Sequence, residues 1–124
     1  MAHVTRIKDP IYQMDVTVVR GTLPDRTKHL RELGVEAPEH PCWASMTCIP
    51  SKSHILLWFD SEVQNDTKGA GIIAHECLHA TVAVMGLVGM PIKVETDEAS
   101  CYYLQWLVST VTEILFPKKR RKAA

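Results

Sequence analysis

The pattern of apolar and polar positions predicts strands in the first half of the chain. β-Branched residues favour a strand over 14–20. Apolar and polar side chains alternate over 43–49, which favours a half-buried strand. A further apolar run covers 54–59, and the turn residues Pro50–Ser53 separate it from the strand before. We therefore expect the last two strands to form an antiparallel hairpin.

Helical periodicity is predicted in three places. A short helix over 26–33 should begin after Asp25 as its N-cap. A long helix over 68–85 is apolar around nearly its whole circumference, so we expect it to be buried. A second long helix should begin near Thr96 and bury an apolar stripe. The sequence thus predicts an α+β fold, a small antiparallel sheet packed on two long helices.

Length and composition indicate one compact domain. The chain has 124 residues, of which 46% are hydrophobic. We expect residues 1–117 to form this domain and residues 118–124 to form a basic, disordered tail. The formal net charge is zero, so only this tail argues for nucleic-acid binding, and only weakly.

Cysteine usage and hydropathy indicate the compartment. The four cysteines form no C-x-x-C pair, and the first residues show no apolar leader. We therefore expect reduced thiols and a cytoplasmic location. No uninterrupted apolar run reaches the roughly 18 residues of a membrane span, so we expect no membrane partner.

The sequence His75-Glu76-Cys77-Leu78-His79 matches the pattern H-E-x-x-H. On a helix, side chains four residues apart lie on one face, so both imidazoles can hold one metal ion. Imidazole nitrogen suits Zn²⁺, and a catalytic zinc keeps one position open for water. Glu76 is placed to accept a proton from that water.

A catalytic zinc usually has three protein ligands, so a third ligand is needed. The second long helix begins with an acidic cluster, and Glu98 is our first choice there. Asp97 and Glu95 are alternatives, and Asp97 could instead accept an imidazole N–H. Acidic residues in a first helical turn also interact favourably with the helix dipole without any metal.

The two motifs His75–Ala80 and Thr96–Tyr102 resemble those of the gluzincin-type zinc metallopeptidases. The chain is most similar to the small zincin-like proteins encoded in phage and prophage genomes, over roughly residues 43–116. The resemblance implies a minimal zincin-like domain with His75, His79 and Glu98 as zinc ligands and Glu76 as general base. It also implies that 55–59 is an edge strand that pairs with a peptide or protein substrate.

If the chain is a peptidase, the developing oxyanion needs a donor besides the metal. Candidates are His54, at the start of the last predicted strand, and Tyr102 or Tyr103 on the second long helix. The alternative function is a catalytically weak or inactive zincin-fold protein in which zinc stabilises a structural or interaction domain. Such a domain could serve in a phage virion or assembly, within a bacterial host cell.

Overall fold

The computed structural model describes residues 2–118 and places a four-stranded sheet between helices. The strands are β1 (His3–Lys8), β2 (Asp15–Gly21), β3 (Ala44–Ile49) and β4 (His54–Asp60). The helices are α1 (Leu23–Glu32), α2 (Thr67–Leu87) and α3 (Asp97–Leu115). Short 3₁₀ turns occupy Pro50–Lys52 and Val94–Thr96. The predicted basic tail falls largely on residues 119–124, which lie outside the described residues.

The sheet has the strand order β1-β2-β4-β3. Strands β1 and β2 pair antiparallel, as do β3 and β4, whereas β2 and β4 pair parallel. The predicted α+β class and the β3–β4 hairpin are confirmed. The sheet is mixed rather than purely antiparallel, because α1 and the loop and strand after it carry the chain back to lie alongside β2. Strand β1 was not predicted, since most of its residues are exposed.

Strand β4 is internal, which corrects the prediction that residues 55–59 form an edge strand. It lies between β2 and β3 and pairs with both. An uninterrupted apolar run of this kind is typical of a strand covered on both faces. The free edge on this side of the sheet belongs to β3.

The two faces of the sheet carry separate cores. Helices α2 and α3 cover the face that presents Val16, Val18, Ile55, Leu57 and Phe59. On the opposite face, Leu30 of α1 packs with Val19, Leu56 and Trp58. Because neighbouring residues of a strand point to opposite faces, β2 and β4 contribute alternate side chains to the two cores.

Helix α2 is only half covered, which corrects the prediction of a helix buried all round. Its inner face is in the core, but Leu78 and Val82 are 50% and 52% exposed. By length and mean hydropathy of 1.4 it meets the compositional criterion for a membrane span, which core helices also meet. Strand β3 and helix α3 pack against it.

The starts of α1 and α2 are set by side-chain caps. The Thr22 hydroxyl accepts from the Asp25 amide, and the Asp25 carboxylate accepts from the Thr22 amide. Thr22 is therefore the N-cap of α1, and the prediction that Asp25 holds this position is wrong. Asp66 caps α2 by accepting from the Gly69 amide.

A buried carboxylate organises the connection between β1 and β2. Asp9 is fully buried and accepts hydrogen bonds from the Tyr103 hydroxyl and from the backbone amides of Ile11, Tyr12, Gln13 and Met14. Burial and the adjacent Asp9 carboxylate raise the pKa of Tyr103. This cluster holds α3 against the turn that precedes β2.

Candidate metal centre

The two histidines of the H-E-x-x-H motif lie side by side on α2. Their Nε2 atoms are 3.2 Å apart. Two nitrogen ligands at about 2.0–2.1 Å from one tetrahedral zinc ion are about 3.3–3.4 Å apart. The observed distance also suits an N–H···N hydrogen bond between a donor and an acceptor imidazole. The separation of the two Nε2 atoms is therefore close to that of a two-nitrogen chelate.

Both imidazoles belong to the exposed side of α2. They follow the helical period with Leu78 and Val82, which are also exposed. An ion held by the two Nε2 atoms is thus accessible from solvent. Within the motif, only Glu76 and Cys77 are buried.

Glu76 is 8% exposed and lies beside the histidine pair. Burial raises the pKa of its carboxyl above the ordinary value, and the charges of His75 and His79 act in the opposite direction. A raised pKa makes the carboxylate a stronger base, so this environment suits proton transfer.

A shallow cleft of about 480 Å³ separates the start of β3 from α2. Glu76, His75 and Ile72 line it from the helix. The opposite wall consists of Cys42, Trp43 and Ala44. Lys68, on α2, places its Nζ atom 4.4 Å from the Trp43 ring centre. No sequence pattern pointed to Cys42, Trp43 or Lys68 as site residues, because residues so far apart in the chain meet only through the β3–β4 hairpin.

The structure does not bring Glu98 to the histidine pair. Glu98 is exposed, and it lies about 200° around α3 from the buried Ser100. Asp97 and Glu95 are exposed as well. Among residues 2–118, no three His, Cys, Asp or Glu side chains form a group able to hold a metal ion. The identity of a third ligand stays a prediction.

The three candidate oxyanion donors lie elsewhere. His54 is buried on the α1 side of the sheet, where its Nε2 is 2.7 Å from the Thr17 Oγ1. It therefore faces away from α2, and its predicted role is contradicted by the alternation along β4. Tyr103 is buried and bonded to Asp9, whereas Tyr102 is 62% exposed at the surface of α3.

Comparisons with known proteins add no relationship. No family profile, no curated protein and no solved structure matches this chain.

Proposed function

We propose that this protein is a zinc-dependent peptidase whose metal is held by His75 and His79. The 3.2 Å distance between their Nε2 atoms carries the proposal, because it is close to the separation that two imidazole ligands of one ion require. Exposure on α2 leaves room for water and for a substrate. A bound zinc ion supplies Lewis acidity and lowers the pKa of a water ligand to about 7.

Glu76 is the proton acceptor in this proposal. It is adjacent to His75 in the chain and lines the same cleft. Its burial raises the carboxyl pKa, so the carboxylate holds a proton more readily than an exposed one. Glu76 accepts the proton of the attacking water and delivers it to the leaving amine.

The substrate is proposed to lie along β3 rather than along β4. β3 is the free edge on this side of the sheet, and it forms one wall of the cleft that contains Glu76. An extended peptide could add to this edge through backbone hydrogen bonds. Trp43 and Lys68 would then contact the substrate near the start of the strand.

A catalytically inactive zinc-stabilised interaction protein is the second candidate function. One observation weighs against hydrolysis: within the described residues no third protein ligand joins the histidine pair, whereas a catalytic zinc usually has three. Glu76 favours the peptidase, since a purely structural site needs no carboxylate beside its histidines. Zinc binding tests both candidates together, and hydrolysis separates them.

The first experiment measures zinc content in the purified protein and in the His79→Ala variant. The proposal expects bound zinc in the parent and its loss in the variant, with the exposed loop variant His40→Ala as control. Mass spectrometry of a peptide library with zinc or with EDTA then measures cleavage. A parent protein that binds no zinc contradicts the proposal.

A further inference from the structure

Between residues 70 and 87, the exposed face of α2 carries no Asp, Glu, Lys or Arg side chain. Between residues 70 and 87 the exposed side chains are small, apolar or imidazole, and the one ionisable carboxylate, Glu76, is buried. The exposed positions are Ala70, Gly71, Ala74, His75, Leu78, His79, Val82, Gly86 and Leu87. A solvent-facing helix surface normally carries charged residues, so this face is suited to contact with another surface.

The metal ligands on this face are incomplete within one chain. Zinc takes four ligands, usually all from protein in a structural site. His75 and His79 provide two, and the described residues provide no third beside them. Both imidazoles belong to the outer face, so a ligand from outside the chain can approach them.

We infer that a second copy of this chain covers α2 and completes the metal coordination with its own His75 and His79. This inference rests on the metal site of the proposed function. A two-fold axis brings each surface against its own counterpart, so two ligands per chain become four around one ion. It also brings like residues together, and between residues 70 and 87 the exposed face has no Asp, Glu, Lys or Arg that would meet its own copy across the axis.

The apolar residues of the face fit the same arrangement. Leu78 and Val82 lie beside the histidines on the exposed side and are about half exposed. In the two-fold dimer they surround the metal and lose water contact, while Ala70, Gly71 and Ala74 allow the helices to approach closely. The dimer occupies the position a substrate needs, so it is the resting form and hydrolysis belongs to the monomer.

The test measures molar mass and zinc stoichiometry together, by light scattering and metal analysis on the same samples. With zinc, we expect twice the chain mass of 13.9 kDa and one zinc ion per two chains. With EDTA, we expect the monomer. His79→Ala should remain monomeric in both conditions.

A second comparison isolates the apolar contact from the ligands. The double variant Leu78→Ser/Val82→Ser keeps both histidines, and its zinc-dependent dimer should dissociate about tenfold or more readily. Ile11→Ser is the matched control, since Ile11 is 50% exposed but lies in the β1–β2 connection, and its dimer should be unchanged.

A zinc-loaded monomer with one ion per chain overturns the dimer and leaves the peptidase proposal standing. A dimer that persists in EDTA overturns the metal bridge, and a protein that binds no zinc overturns both proposals.

Discussion

Glu76 is the residue whose replacement separates catalysis from metal binding. The Glu76→Gln variant keeps the shape of the side chain but cannot accept a proton. We expect hydrolysis to fall by about 10²–10⁴-fold, the usual contribution of a general base. Zinc content should remain that of the parent, because Glu76 is not one of the proposed ligands. A variant that cleaves peptides as fast as the parent shows that the general-base role is wrong.

Asp9 is expected to contribute more to stability than any exposed acidic residue. Asp9→Ala leaves the buried Met14 amide, three partly buried amides and the Tyr103 hydroxyl without this acceptor. We expect a loss of about 3–5 kcal/mol in the free energy of unfolding, measured in urea. Asp15→Ala is the control, since its ion pair with Lys8, 3.7 Å between Nζ and Oδ1, is exposed and is worth under about 1 kcal/mol. Similar losses in the two variants would contradict the structural role of Asp9.

His54 makes the free energy of unfolding depend on pH. Burial lowers its pKa below 6.5, assisted by Arg6 and Lys52 and opposed by Asp15. Below pH 6.5 the unfolded chain therefore takes up a proton that the folded protein resists, and the free energy of unfolding falls as the pH decreases towards the folded pKa. His54→Asn removes this contribution. Urea unfolding from pH 7.5 to 5 should show a shallower pH dependence in the variant, and parallel profiles would refute the effect.

For single residues, the shared helix face of His75 and His79 was predictable from the sequence, whereas the burial of Asp9 was not. The spacing of His75 and His79 correctly predicted that both side chains share one helix face, because the helical period alone fixes this. Nothing local distinguishes Asp9 from an exposed aspartate, since its partner Tyr103 is distant in sequence. Burial of Asp9 depends on where α3 packs, and no local pattern encodes that position.

At the scale of single elements, α2 provides a matched pair of glycine variants. A Cβ on Gly69 would lie 1.8 Å from the carbonyl oxygen of Gln64, whereas a Cβ on Gly71 meets nothing within 4 Å. Gly69→Ala should therefore destabilise the protein, by about 1–3 kcal/mol. Gly71→Ala should stabilise it by about 0.5–1 kcal/mol, because alanine favours the helix. Thermal unfolding of both variants checks the two signs, and equal shifts in one direction would contradict the close approach at Gly69.

The sequence predicted where helices and strands begin and end better than it predicted what packs against them. The apolar period predicted α2 over 68–85, within two residues of its observed limits. They did not tell which side is buried, since Leu78 and Val82 are as apolar as Val84 and Met85. For β4 the signal was present, because a run of buried apolar residues is typical of a central strand, and the resemblance assigned an edge instead.

At the scale of the whole molecule, the strand order decides where a substrate could bind. The hairpin was predictable from its turn and alternation, but its neighbour β2 was not, since parallel pairing joins residues about 40 positions apart. With β2 beside β4, only β3 is left free on the side that faces the cleft. The start of β3 therefore lies across the cleft from the H-E-x-x-H motif. The resemblance had assigned this edge position to residues 55–59.

Arg20 holds the last helix to the rest of the fold. Its guanidinium donates to the carbonyl of Leu115 at the end of α3 and to the carbonyls of Ser61 and Val63 after β4, and it lies 5.1 Å from the Phe116 ring centre. A cation at a helix C-terminus also interacts favourably with the helix dipole.

Arg20→Ala removes the contacts that join β2, the β4–α2 connection and α3. We expect the free energy of unfolding to fall by about 2–3 kcal/mol, since hydrogen bonds from a charged donor are stronger than neutral ones. Amide hydrogen exchange should accelerate first in the last turn of α3, because that turn loses its attachment to the sheet. Arg6→Ala is the control, as Arg6 is exposed on β1. Unchanged exchange in that turn would show that packing of Leu107 and Val111 alone fixes α3 to the sheet.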